Sequence, residues 1–129
     1  PEGTARQALA DFAQLMVQFS TEDVVRHQLL FQRTIPGFEP SPSSYELAVE
    51  FYETGRQRLA AAGVTDQSDM DLFTALVSGL AHQQVANDPG GDRWVRQAGR
   101  AVEMFLVDVD RRRRAATRKE KNHDADDRP

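Results

Sequence analysis

The chain of 129 residues contains no cysteine. This absence excludes a disulfide framework and a metal site built on thiolates, and it suits a cytoplasmic protein. No apolar run approaches the roughly 18 residues that a membrane span needs. The chain does not open on a signal-peptide pattern either. We therefore expect a cytoplasmic domain with no membrane partner.

Lysine is absent from the first 110 residues, which carry 8 arginines against 16 acidic residues for a net charge of −8. Affinity for DNA comes mainly from Lys and Arg side chains that neutralise phosphates, so this acidic body is a poor direct ligand for nucleic acid. Residues 111–129 carry a net charge of +4 and almost no apolar side chains. We expect 1–110 to form the folded domain and 111–129 to be a charged, disordered tail.

The apolar residues recur at helical spacing, and the alternation typical of strands is absent. The sequence thus predicts an all-α fold. Gly63 marks the end of the third predicted helix, Asp66 or Ser68 the start of the fourth, and Pro89 its end. The predicted helices span roughly residues 4–19, 22–32, 43–62, 67–87 and 92–110.

Residues 72–106 are apolar over much more than one helical face, on two helices joined by an Asp-Pro-Gly-Gly loop. A surface helix of a small domain normally carries one apolar stripe, so the excess predicts a second copy of the chain as partner. We expect the last helix to be mainly dimer interface and the preceding one to serve both interface and pocket. The predicted interface residues are Leu76, Gly79, Leu80, Gln83, Trp94, Ala98, Ala101, Val102, Phe105, Leu106 and Val109.

Two strings, LLFQRTIPGFEPSPSSY at 29–45 and GLAHQQVANDPGGDRW at 79–94, resemble the C-terminal regulatory domain of TetR-type transcriptional repressors in their actinobacterial form. The resemblance covers roughly residues 5–106. It implies a five-helix fold whose last two helices pair with those of a second subunit as a four-helix dimer interface. It also implies a small-molecule pocket among the earlier helices, whose occupancy releases operator DNA in the intact protein.

Members of that family read operator DNA through an N-terminal helix-turn-helix, which these 129 residues do not include. The chain as given is therefore not expected to bind an operator by itself. A truncated or proteolysed repressor is one interpretation. A head-less module that binds a small molecule alone, or captures other subunits in mixed dimers, is the alternative.

Apolar and polar side chains on the inward faces of the first four predicted helices are candidates for the pocket, with core packing as the competing interpretation. Thr74, Ser78 and His82 recur every four residues on an otherwise apolar helix, so each needs a polar partner or a ligand. The composition favours a small hydrophobic or aromatic ligand. The candidates are Phe12, Met16, His27, Phe31, Tyr52, Phe73, Thr74, Ser78 and His82.

No catalytic constellation can be assembled from the sequence, which lacks a Gly-x-Ser-x-Gly motif and a glycine-rich phosphate loop. The pair Asp23 and His27, and the single Glu-x-x-His formed by Glu120 and His123, fall short of the repeated motif of a di-iron bundle. We therefore expect neither an enzyme nor a metal or cofactor site.

Overall fold

The computed structural model describes residues 2–22 and 42–126, and every regular element in these ranges is helical. The all-α prediction is confirmed. The predicted helix at 22–32 lies outside the described residues, apart from its first position. The elements are α1 (Glu2–Thr21), α2 (Pro42–Ala61), α3 (Gln67–Asn87), a 3₁₀ turn (Val95–Gln97) and α4 (Ala98–Asp126).

Local signals account for the turn between α2 and α3. Gly63 has a φ of 86°, a conformation that favours glycine, and it ends α2 as the sequence predicts. Asp66 is the N-cap of α3, because its Oδ1 accepts a hydrogen bond of 2.8 Å from the backbone N–H of Ser68. The observed α3 therefore matches the predicted span of 67–87.

The core is built around α1, which packs against each of the other three helices. Leu9, Ala13 and Val17 recur at four-residue intervals on α1 and are fully or almost fully buried. They meet buried side chains of α3 and α4, such as Val77 and Leu106. As a result, α1 lies between α2 on one side and the α3–α4 pair on the other. No helix among the described residues carries a stretch hydrophobic enough to span a bilayer.

The loop between α3 and α4 is organised by Gln84, a glutamine that is only 1% exposed. Its Oε1 accepts hydrogen bonds from the backbone N–H groups of Trp94 and Val95, at 2.8 and 3.0 Å. Its Nε2 donates to the carbonyl of Gly91 at 2.9 Å and also to that of Asp88. The buried amide thus serves both sides of the loop, so the end of α3 and the start of α4 are held together.

Two details of this loop follow from close contacts. A Cβ at Gly91 would lie 2.2 Å from Asp88 Oδ2, so any other residue there would displace the Asp88 carboxylate. The backbone N–H of Arg93 donates to Asp88 Oδ2 at 3.0 Å, and this bond is the main reason why the pKa of Asp88 lies below its ordinary value of 3.8. The ionised carboxylate of Asp88 therefore accepts the hydrogen bond that joins the two ends of the loop.

Helix α4 continues to Asp126, although the sequence predicted disorder from residue 111. Arg, Ala, Lys and Glu are good helix formers, and the composition that argued against burial is compatible with an exposed helix. Two side chains also tie the extension to the body. Arg112 forms an ion pair with Asp69 of α3, and Arg113 donates a hydrogen bond to the carbonyl of Gly63. The helix crosses the predicted boundary at residue 110 without a break.

The ion pair between Arg112 and Asp69 includes a carboxylate whose side chain is only 9% exposed. Arg112 Nε also donates to Asp108 Oδ2 at 2.9 Å, one turn earlier on α4. Hydrogen bonds from Arg112, and then from Arg111, hold the pKa of Asp108 below its ordinary value. The bond to Asp69, followed by the bond to Asp108, raises the pKa of Arg112. A second ion pair joins Arg6 of α1 to Asp110 at 2.8 Å.

Candidate ligand-binding site

A cavity of about 300 Å³ lies between α1, α2 and α3. This volume is at the lower end of the range for small-molecule pockets. The lining is mostly apolar and aromatic, with a few polar groups. It consists of Phe12, Met16, Phe51, Tyr52, Gly55, Arg56, Leu59, Gln67, Met70, Asp71, Phe73, Thr74 and Val77.

Helical spacing brings these side chains together. Phe12 and Met16 are one turn apart on α1, and Phe51, Gly55 and Leu59 recur every four residues on α2. The absence of a side chain at Gly55 lets the ring of Phe12 approach the backbone of α2, since a Cβ there would lie 3.2 Å from that ring. The rings of Phe12 and Phe51 also meet, with centroids 6.5 Å apart.

The floor and the mouth of the cavity differ in character. Leu59, Phe73 and Val77 form a buried apolar floor, with between 2 and 4% of each residue exposed. At the mouth, Tyr52 is 62% exposed and the side chain of Arg56 is 58% exposed. A molecule entering the cavity would therefore meet polar groups first and apolar surface last.

The polar groups of the mouth differ in how they are hydrogen-bonded. Thr74 Oγ1 donates to the carbonyl of Met70 at 3.0 Å, a bond within its own helix. Gln67 Nε2 donates to Asp71 Oδ1 at 2.9 Å. The guanidinium of Arg56 comes only to 3.9 Å from Glu53 Oε1, which is too long for a hydrogen bond.

Of the nine predicted ligand-binding residues, the cavity lining includes Phe12, Met16, Tyr52, Phe73 and Thr74. His27 and Phe31 lie outside the described residues. That any of these residues binds a ligand stays a prediction.

Ser78 and His82 are not part of the lining, although the sequence grouped them with Thr74. Each step of four residues turns an α-helix by about 40° beyond a full turn, so a stripe at that spacing drifts around the helix. From Thr74 to His82 the drift is about 80°. Ser78 is half-buried and His82 is exposed, and neither lines this cavity; that they bind a ligand stays a prediction.

The sequence prediction missed eight lining residues. Phe51, Leu59, Met70 and Val77 are apolar residues at helical spacing, a signal that does not distinguish a cavity wall from core packing. Gly55 carries no side-chain signal, and its role follows from its contact with Phe12. Nothing in the sequence distinguishes Arg56, Gln67 and Asp71 from other polar residues on the same helices, because their relevance depends on how α2 faces α3.

Part of the predicted dimer interface is already buried within the single chain. Five of its members are no more than 7% exposed, because α4 packs against both α1 and α3. The wide apolar arc of α4 is thus used mainly for contacts inside the chain. Leu80, Trp94 and Ala101 are half-buried. The five core residues are Ala98, Val102, Phe105, Leu106 and Val109.

The adjacent helices α3 and α4 nevertheless carry exposed apolar side chains. Leu72 and Leu76 on α3 are 53% and 41% exposed, and the predicted interface residues Gly79 and Gln83 are exposed as well. On α4, Met104 and Val107 are 63% and 53% exposed and border a shallow groove. We call Leu72, Leu76, Met104 and Val107 the outer apolar residues.

Within the described part of the chain, no three His, Cys, Asp or Glu side chains converge where they could hold a metal ion. No protein-family model matches the chain, and comparison with curated proteins and with solved structures gives no match either.

Proposed function

We propose that the chain is the effector-sensing and dimerisation domain of a TetR-type transcriptional repressor, with the five-helix fold of that domain, acting in the cytoplasm. The observation that carries this proposal is the cavity between α1, α2 and α3. It combines an apolar floor with a few polar groups at its mouth, as small-molecule sites do. The ligand is a small hydrophobic or aromatic molecule.

The outer apolar residues support the dimerisation part of the proposal. Contiguous apolar surface on a small domain marks an association site, and the outer apolar residues lie on two adjacent helices. They lie on the two helices that the resemblance assigns to a four-helix interface. The partner is a second copy of the chain, and operator DNA is reached only through a helix-turn-helix in the intact protein.

The arrangement of α1 supports a coupling between the cavity and the rest of the domain. Phe12 and Met16 face the cavity, while Leu9, Ala13 and Val17 of the same helix pack in the core. A ligand in the cavity therefore touches the helix that also packs against α4. A change in the position of α1 on binding would reach α4 without an intermediate element.

The proposal is tested by binding of the neutral fluorescent probe N-phenyl-1-naphthylamine to the full chain. We expect its fluorescence to rise on binding, because the probe leaves water for an apolar cavity. Thr74→Phe should abolish the increase, since the added ring occupies the mouth. Ala75→Phe is the matched control, because Ala75 is exposed, adjacent and outside the lining.

Equal binding by Thr74→Phe and Ala75→Phe would place the probe elsewhere and count against the cavity as the ligand site. A thermal-shift screen in which polyanions alone raise the melting temperature would also overturn the proposal, since it predicts an apolar ligand.

A further inference from the structure

Among the described lining residues, the charged side chains lie at the mouth of the cavity and not on its floor. Among the described lining residues there is one cation, Arg56 on α2, and one anion, Asp71 on α3. Both side chains belong to exposed residues, whereas the floor is apolar and buried. Such a cavity fits a ligand that has an apolar body and a charged head group.

The two charged side chains differ in whether they already take part in a hydrogen bond within the chain. Asp71 accepts a hydrogen bond of 2.9 Å from Gln67, which lies on its own helix. Arg56 Nε is 3.9 Å from Glu53 Oε1, beyond hydrogen-bonding distance. The guanidinium therefore keeps donors for a ligand, and its planar fork matches a carboxylate. The head group indicated by this asymmetry is anionic.

The walls of the cavity indicate the body of the ligand. Three phenylalanines, Phe12, Phe51 and Phe73, contribute to the lining, and Met16 and Met70 add thioethers. Aromatic rings and thioether sulfur both contact aromatic ligands favourably. A flat ring system is therefore better matched to these walls than a branched aliphatic body.

We propose that the ligand of this cavity is an aromatic carboxylate, with its rings on the phenylalanine and methionine walls and its carboxylate on the guanidinium of Arg56. The assignment rests on the proposed function, because it names the ligand class for the same cavity. Tyr52 and Thr74 are exposed residues of the same lining.

The test compares three probes of nearly identical shape by calorimetry with the full chain at pH 7. These are 2-naphthoate, 2-naphthamide and 2-naphthylmethylamine, which carry a negative, a neutral and a positive head. We expect 2-naphthoate to bind about three- to fivefold more tightly than the amide, the size typical of an exposed ion pair. The amine should bind most weakly.

Substitutions test whether Arg56 is the side chain that causes the preference for 2-naphthoate. Arg56→Gln should reduce the affinity for 2-naphthoate to that for the amide and leave amide binding unchanged, while Arg56→Lys should retain part of the preference. Arg58→Gln is the matched control. It removes an exposed cation from the same helix but outside the cavity lining, and it should leave all three affinities as they are.

Three outcomes would overturn the inference. Equal affinities for 2-naphthoate and the amide, unaffected by Arg56→Gln, would refute recognition of the carboxylate while leaving the proposed function standing. Tightest binding of the amine, lost in Asp71→Asn, would show that the site selects a cation. Failure of all three probes and of N-phenyl-1-naphthylamine to bind would remove the proposed function together with the inference.

Discussion

Gln84 shows how one polar side chain organises a connection between helices. It is almost fully buried and nevertheless fully satisfied, because both ends of its amide meet backbone groups of the loop. A buried donor or acceptor without a partner destabilises a fold, so the glutamine and the loop backbone depend on each other.

Replacing Gln84 with methionine, which has a similar volume, should lower the free energy of unfolding by about 2 to 3 kcal/mol, since the N–H groups of Trp94 and Val95 lose their acceptor. Chemical denaturation at a fixed protein concentration measures this change. Gln14→Met, at an exposed position of α1, serves as the control and should be nearly neutral. A similar loss in both variants would show that the hydrogen bonds of Gln84 contribute little.

Helix α4 illustrates how an element can extend beyond its own apolar pattern. Its last buried position is Val109, yet the helix continues to Asp126 with its described side chains exposed from residue 111 onward. The contacts of Arg112 with Asp69 and Asp108, and of Arg113 with Gly63, lie in the first turn of the extension. They fix the direction of the helix where it leaves the core.

Arg112→Ala should destabilise the chain most at pH 7, because Asp69 stays buried without its partner and the pKa of Asp108 moves back toward 3.8, and its difference from the wild type should narrow as the pH falls. A carboxyl with a depressed pKa stabilises the fold above its unfolded-state value, and this contribution is lost as the pH falls through the folded-state value. Denaturation midpoints between pH 7 and pH 3 test this.

Arg114→Ala is the control for Arg112→Ala, since Arg114 is exposed two residues further along α4. It should reproduce the wild-type profile. If Arg112→Ala also follows that profile throughout the acid range, the ion pair with Asp69 does not stabilise α4.

The comparison of α3 with α4 shows what the sequence could predict. Both ends of α3 are marked locally, by the cap at Asp66 and the break at Pro89, so its span was predictable. The C-terminal part of α4 begins with contacts to Asp69 and Gly63, 43 and 50 residues away in the chain. Composition contains no information about such pairs, and the low apolar content of this segment predicted disorder instead.

At the cavity, the sequence could predict which apolar side chains face inward, but not which residues of other helices they meet. Apolar periodicity marked Phe12, Met16 and Phe73, because inward-facing positions follow from spacing alone. The contribution of Arg56 and Asp71 depends on which face of α2 meets α3, and this requires the tertiary structure.

For the whole molecule, the main question is whether the outer apolar residues meet a second copy. Phe105 is one of the predicted interface residues, but it is buried against Phe73, with ring centroids 5.8 Å apart. A charge there would disrupt the fold of the single chain. Leu76 and Met104 are exposed in the single chain, so charged substitutions there test dimerisation without disrupting the fold.

In sedimentation velocity at micromolar concentration, we expect the wild-type chain to be a dimer. Leu76→Glu and Met104→Glu should each shift it toward monomer without loss of helical content, because a charge at the interface is costly to bury. Leu15→Glu, at an exposed site of α1, should remain dimeric. A monomeric wild-type chain would refute the predicted interface.

The fastening of α3 to α4 has a mechanical consequence for the cavity. Helix α3 is fastened to α4 by the Gln84 loop, the Phe73–Phe105 contact and the Asp69–Arg112 pair. Helix α2 packs chiefly on α1, and Arg113 holds the turn that follows it. The described contacts thus tie the α3 wall of the cavity to α4, whereas they tie the α2 wall chiefly to α1. We expect a ligand that widens the cavity to displace α2 rather than α3.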